Sequence, residues 1–296
     1  NCRHIQIQDI HLTNASAWTC HLIGSEDIKI RGIDITNPLE GPNTDGIDID
    51  GSSDVFISDS TITTGDDAIV LKTKNDFDIQ KPIRNVTVTN CRLTSGCNGF
   101  KIGTETQNDV ENICFSNSTI YSPDHFRPIE RCITAIAIES VDGATVRNVA
   151  CTNITIINAR TPFFIRLGAW LRGDAQTPGT IKGVTLSNII ATGATHASVF
   201  SGIPDHHIQD IQLNQIQIET KGGFQQDLAT IRDVPEHPAD YPEVFMFGTV
   251  PASVLYLRHL KRITIGTIYT DIQQPDTRPQ FSTHDVHDLQ TQHPLP

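Results

Sequence analysis

The chain has 296 residues and a net charge of −12, with 38% hydrophobic and only 6% aromatic residues. An acidic balance without any Lys/Arg run argues against nucleic acid or an anionic membrane as a partner. No apolar stretch approaches the roughly 18 residues of a membrane span, so a soluble protein is expected, with a core of Ile, Val, Leu and Ala.

One pattern recurs along the chain. Looser copies begin at Ile5 and Ile28; clear ones follow as "VFISDSTI" from Val55, "VTVTNCRL" from Val86 and "ICFSNSTI" from Ile113. "VACTNITI" from Val149 and "VTLSNIIA" from Val184 continue it, and looser copies return at Ile211 and Ile263. Each copy alternates apolar and polar residues with period two, the signature of a half-buried strand. One such unit cannot bury its apolar face alone, but copies stacked about 4.8 Å apart can. The pattern predicts an all-β fold, a right-handed parallel β-helix of about nine coils forming one domain over residues 1–296. Asp59, Asn90, Asn117, Asn153 and Asn188 fall in one column and are expected to form an internal ladder of turn side chains.

Residues 220–254, with "VPEHPADYPEVFMFGTVP", break the rhythm and read as a long excursion between coils. After Asp271 the repeat is lost. There His284, Asp285 and His287 ("HDVHD") fit no strong metal-ligand spacing, so they read as a solvated tail and no metal site is expected. Seven cysteines without a CxxC motif fix no pairing; Cys91, Cys114 and Cys151, inside strand patterns, read as buried thiols. The sequence begins at Asn1, without an initiator Met or a signal peptide.

A second strand follows in each repeat: "DGIDID" from Asp45, "DAIVLK" from Asp67, "NGFKIG" from Asn98, "TAIAIE" from Thr134 and "TPFFIR" from Thr161. Ile47, Ile69, Phe100, Ile136 and Phe163 would form one inward column, with Ile49, Leu71, Ile102, Ile138 and Ile165 the next. The outward columns would be Gly46, Ala68, Gly99, Ala135, Pro162, then Asp48, Val70, Lys101, Ala137, Phe164, then Asp50, Lys72, Gly103, Glu139, Arg166. The first is all small, which suggests a floor on which a ligand can lie.

At the strand heads Asp45 and Asp67 would be stacked neighbours, with Asp66 beside them. Strict alternation points Asp45 and Asp67 inward, so the preceding turn must bend them to the surface. Three clustered carboxyls raise one another's pKa and can keep one acid protonated near neutral pH. Glycosidic hydrolysis needs that division into one acid and one carboxylate. Each Asp alone is ordinary turn chemistry, and Asp48 and Asp50 read as solvated strand faces. The coincidence of three is what favours catalysis.

At these residues the sequence resembles the polygalacturonase family, glycoside hydrolase family 28, whose signatures are Asn-Thr-Asp, Asp-Asp about twenty residues on, Gly-His-Gly and Arg-Ile-Lys. "NTD" at 43–45 and "GDD" at 65–67 match in order and spacing, and "YPEVFMFGTVPASVLYLRHLKRITI" is similar to bacterial members. Family members carry further N-terminal coils, so the chain is expected to be a fragment. The resemblance implies that Asp66 is the general acid and that Asp45 and Asp67 activate water, with inversion. It also implies an acidic plant cell-wall polysaccharide as substrate, no cofactor, a monomer, and a secreted or periplasmic location. Two positions depart from the family. Asn98 ("CNG") stands where the His does, and Ala137-Ile138-Glu139 where Arg-Ile-Lys does. Substrate contacts are therefore expected from Asn98, Lys72, Lys101, Glu139 and Arg166.

Two rivals remain. A uronate lyase or epimerase on a β-helix would need a base for the C5 proton, which Lys101 could supply, but would leave three acids unexplained. A non-catalytic glycan-binding β-helix is the other.

Overall fold

The computed structural model describes residues 1–75, 79–231 and 233–292. Among the described residues, regular structure other than three single-turn 3-10 helices is strand, and the strands pair in parallel across successive turns of the chain. The molecule is a right-handed parallel β-helix, each coil laying strands on three faces around one apolar column.

The repeat fixes the register. Ile5, Ile28, Val55, Val86, Ile113, Val149, Val184, Ile211 and Ile263 stack one on the next, and Leu289 continues them. The stretch after Asp271 is thus another coil: Phe281–Thr291 is a strand paired with Leu255–Ile265. Its apolar signal is weak because this last coil leaves one edge in water and needs fewer buried side chains. On a second face Leu12, Ile35, Ile62, Leu93, Ile120 and Ile156 stack. On the third, Leu22, Ile49, Leu71, Ile102, Ile138, Ile165, Phe200 and Leu257 do. From Ile28 and Ile35 onward these columns are almost entirely buried and form one continuous core.

The Asp/Asn column bonds as a ladder at several steps, Asn90 to Asp59 at 3.3 Å and Asn153 to Asn117 at 3.0 Å, but it is exposed and not internal. Asp59, Asn90, Asn117, Asn153 and Asn188 all adopt left-handed backbone with φ between 50° and 56°, a turn that Asn and Asp tolerate best. That turn faces the side chains to water. Of the three strand cysteines, Cys91 and Cys151 are buried and Cys114 half-buried; all seven thiols are unpaired.

Between the strands Ile208–Gly222 and Leu255–Ile265 the chain leaves the coil. Val244, Phe247 and Val250 of this excursion pack on Phe164, Val199 and Tyr256, making a second apolar cluster on the outside of the third face. Arg166 pins it down, its guanidinium donating to the carbonyls of Gly202, Glu236 and His237 at 2.8–2.9 Å. The expectation that the outward columns face solvent therefore fails: Asp48, Asp50, Lys72, Lys101, Glu139 and Arg166 are all buried.

Candidate active site

The sequence places two short motifs on adjacent coils, and the backbone locks them together. Thr44 Oγ1 donates to the Gly41 carbonyl at 2.7 Å and accepts the Gly65 N–H at 3.2 Å. Gly65 has no substitute there, because a Cβ would stand 2.4 Å from the Gly41 carbonyl oxygen. The Asn43 N–H donates to Asp66 Oδ2 at 3.2 Å, and Asp66 Oδ1 accepts the Asp67 N–H at 2.9 Å.

Ile47 pairs with Ile69 and Ile69 with Phe100, so Asp45, Asp67 and Asn98 head successive strands. A bend before each strand turns the two carboxyls out of the core. The same bend turns their neighbours in: a Cβ on Gly46 would meet Ile62, one on Gly99 would meet Ile120, and Ala68 and Ala135 belong to the core. The small column is thus no ligand floor. Its residues are small because two faces of the helix approach each other there.

Asp45, Asp66 and Asp67 line one cleft of about 170 Å³ with Trp18, Asn43, Lys72, Lys101, Thr104, Glu105 and Tyr241. A larger hollow of about 270 Å³, walled by Phe224, Phe245 and Arg278, has no carboxylate in its lining. In the cleft Lys72 Nζ lies 2.7 Å from Asp48 and 3.3 Å from Asp45, and 3.9 Å above the Trp18 ring centre. Lys101 Nζ lies 3.2 Å from Asp67 Oδ2. Asp67 Oδ1 accepts the Asn98 side-chain amide at 2.7 Å and the Asn98 N–H at 3.1 Å.

These environments separate two neighbouring acids. Burial pushes Asp45 up to about 8 against the pull of Lys72, with Asp48, Asp67 and Asp66 adding to the rise. Burial also presses on Asp67, but Lys101, Lys72 and the Asn98 amide outweigh it and hold its carboxyl below the usual range. Burial lowers Lys72 and Lys101 less than their acids raise them, so both stay charged. Two lysines cannot balance Asp45, Asp48 and Asp67 together. Burial accordingly raises both Asp45 and Asp48, against the pull of the Lys72 they share. Of the three clustered aspartates only Asp66 is half-exposed.

Asp66, Asp67 and Cys97 also converge, with candidate ligand atoms within 4.8 Å of one another. Both oxygens of Asp67 are already engaged, and the buried Lys101 charge opposes a cation there.

Several expected substrate contacts are corrected. Arg166 clamps the excursion, its fork spent on carbonyls and on Ser201 Oγ. Glu139 is buried beside Gly103, outside the cleft lining, and burial raises it to about 8. Asn98 holds Asp67 and does not line the cleft. Lys72 and Lys101 do line it, each committed to an acid. Asp48 is no solvated face; it is sealed beneath Lys72.

Trp18, Thr104, Glu105 and Tyr241 escaped the sequence reading. Trp18 could have been found by carrying the Asp45 column back one coil: Cys20 pairs with Ile47, so Trp18 stacks on Asp45. Thr104 and Glu105 lie within a register shift between Ile102 and Thr106 that breaks the alternation. Tyr241 comes from the excursion, and no periodicity could place it.

The family model for glycosyl hydrolases family 28 matches residues 1–239. An Arabidopsis thaliana exopolygalacturonase is 27% identical over 232 residues, covering 75% of this chain and 51% of its own. A Medicago sativa polygalacturonase is 27% identical over 210 residues, covering 68% and 47%. The crystal structure of a hyperthermoactive exopolygalacturonase from Thermotoga maritima superposes with a TM-score of 0.70 at 19% identity, over 91% of this chain and 53% of that one. A Yersinia enterocolitica family 28 exopolygalacturonase gives 0.69 at 15% identity, over 95% and 44%. The chain spans about half the length of the curated relatives it matches. With the motif pair, the coil register and the family match all falling on the same residues, the chain belongs to glycosyl hydrolases family 28.

Proposed function

We propose that this chain carries the catalytic centre of a glycoside hydrolase that cleaves α-linked galacturonide bonds in pectin-type polysaccharides, polygalacturonan or rhamnogalacturonan. One observation carries the reading: adjacent carboxyls in one cleft are pushed in opposite directions, Asp45 toward a neutral hydrogen-bonding group and Asp67 toward an ionised base, with the half-exposed Asp66 beside them. A site that holds one proton and one charge side by side suits acid/base cleavage of an acetal. Family membership and the polygalacturonase names of the relatives support the substrate class.

In this reading Asp67, ionised and oriented by Asn98 and Lys101, draws the proton from the attacking water. Asp45, neutral beside it, holds that water by hydrogen bond. Asp66, the half-exposed carboxyl, protonates the leaving oxygen from the other side, and the product forms with inverted anomeric configuration. The Trp18 ring offers an apolar face against which a sugar ring can pack. A polymeric wall substrate supports an exported protein, secreted or periplasmic. A second reading makes Asp45 the donor, favoured by its pKa of about 8.

The deciding experiment measures new reducing ends on a panel of pectic substrates, with product ultraviolet absorbance in parallel and early proton NMR of the anomer. Reducing ends without absorbance, and an inverted first product, are expected. An absorbing unsaturated product would replace hydrolysis by a lyase reaction; no product from a folded protein would leave a glycan-binding β-helix.

A further inference from the structure

Along the helix from the cleft, three histidines gather on one aspartate. Ile208 pairs with Leu260 and Leu260 with Val286, so the residues just before them, His207, His259 and Asp285, occupy one column at the turn into the last three coils. The same column holds Asp109, Thr145 and Thr180 in earlier coils. Here His259 Nδ1 lies 2.6 Å and His207 Nε2 2.9 Å from the same oxygen, Asp285 Oδ2. Candidate ligand atoms of the three residues all fall within 4.8 Å of one another. His287 Nε2 holds the other oxygen, Oδ1, at 2.8 Å. The "HDVHD" segment is therefore strand rather than an unstructured tail, although His284, Asp285 and His287 remain on the solvent-exposed side of the coil.

Hydrogen bonding alone accounts poorly for His259. A neutral imidazole carries one N–H. Both of its nitrogens face carboxylates, Nδ1 toward Asp285 and Nε2 toward Glu236 at 3.1 Å. A neutral ring would thus set one lone pair against a carboxylate oxygen. A doubly protonated ring would put a second buried cation beside Arg258, which already pairs with the same Glu236. A cation between His259 Nδ1, His207 Nε2 and Asp285 Oδ2 removes the conflict. With a small opening of these hydrogen-bond contacts, to the donor spacing of roughly 3.3 Å that a tetrahedral ion requires, the three lone pairs can share one ion and His259 Nε2–H donates to Glu236. A ligating histidine whose other N–H is held by a carboxylate is the usual outer-shell arrangement of zinc sites.

We propose that His207, His259 and Asp285 bind a divalent transition ion of the zinc class, with Glu236 orienting His259 and His287 holding the free oxygen of Asp285. Two imidazoles and one carboxylate suit Zn²⁺ and exclude Ca²⁺ or Mg²⁺, which take oxygen ligands. The ion joins three successive coils and, through Glu236, the excursion whose Tyr241 walls the cleft. Its role is a staple for the last coils, independent of the hydrolytic reading.

The test uses untagged protein stripped with a chelator, then titrated with Zn²⁺ by calorimetry and thermal melting. One equivalent should bind and the melting temperature should rise. His207→Ala and Asp285→Asn should each weaken binding by about tenfold or more, and Glu236→Gln by roughly 10- to 100-fold as an outer-shell loss. Co²⁺ added to the wild-type protein should develop the visible bands of a low-coordinate nitrogen and oxygen site, a readout that survives if a variant fails to fold. Absence of Co²⁺ bands together with zinc binding no tighter than in His207→Ala would overturn the proposal and leave a hydrogen-bonded imidazolium cluster.

Discussion

Lys101 Nζ and Asp67 Oδ2 stand 3.2 Å apart, each side chain almost wholly sealed from water. Breaking such a pair from one side leaves an uncompensated buried charge at a cost of about 3–5 kcal/mol, unless the group takes a proton. Lys101→Met should make Asp67 take it. Asp67 is held below its ordinary value, so in the wild-type protein the limb of kcat/KM that requires its charge lies at acid pH. The variant should move that limb upward and lose most activity near neutrality. An unmoved limb with a weaker salt dependence of KM would instead assign Lys101 to the substrate carboxylate.

Asp66→Asn should lower kcat by about 10²–10⁴-fold while preserving the fold, the usual loss for a general acid. Asp45→Asn should be milder, because an amide imitates the neutral carboxyl that Asp45 already presents below about pH 8. Steady-state rates for the pair on one pectic oligosaccharide settle the donor. Residual turnover lower in Asp45→Asn than in Asp66→Asn would transfer the proton to Asp45.

Glu139→Gln tests the electrostatics behind the cleft, where Glu139 packs on Gly103 and feels the Lys101 charge. Burial raises Glu139 to about 8, so it remains protonated in the folded protein while its unfolded counterpart ionises. For such an acid the folded state binds more protons between about pH 4 and pH 8, and stability falls as pH rises through that window. The neutral glutamine lacks this slope. Urea unfolding at pH 5 and pH 8 should show the variant gaining on the wild-type protein at the higher pH. A constant difference between the two pH values would count against a buried, protonated Glu139.

Arg166→Lys should not be conservative. The guanidinium reaches Ser201 and the Gly202, Glu236 and His237 carbonyls at once, a fork that a single ammonium cannot reproduce. We expect faster proteolysis within the excursion and a raised KM, because Tyr241, four residues beyond His237, forms part of the cleft wall. Unchanged cleavage and KM would show that the apolar cluster under Phe247 suffices to hold the excursion.

The period-two repeat by itself determined the coil, the register and the stacking of Asp45 on Asp67, because in a solenoid each residue's neighbours lie one coil away in sequence. Alignment of the chain with itself was therefore a contact map for the regular strands. It lost the last coil, where apolar residues thin out at the solvent edge. It also lost the fate of the outward columns. Whether Asp48 or Arg166 meets water depends on what lies over it, and the cover is the aperiodic excursion together with lysines from neighbouring coils. Only the tertiary structure decided that Lys72 and Lys101 serve the acids first, and that Arg166 clamps a loop. The same holds for His207, His259 and Asp285, which are far apart in sequence and meet because a 52-residue step carries one copy of the turn past the excursion to stack on the last. Local pattern records the hydrophobic drive of each strand; burial of a charge depends on its partners, and those are set by folding in three dimensions.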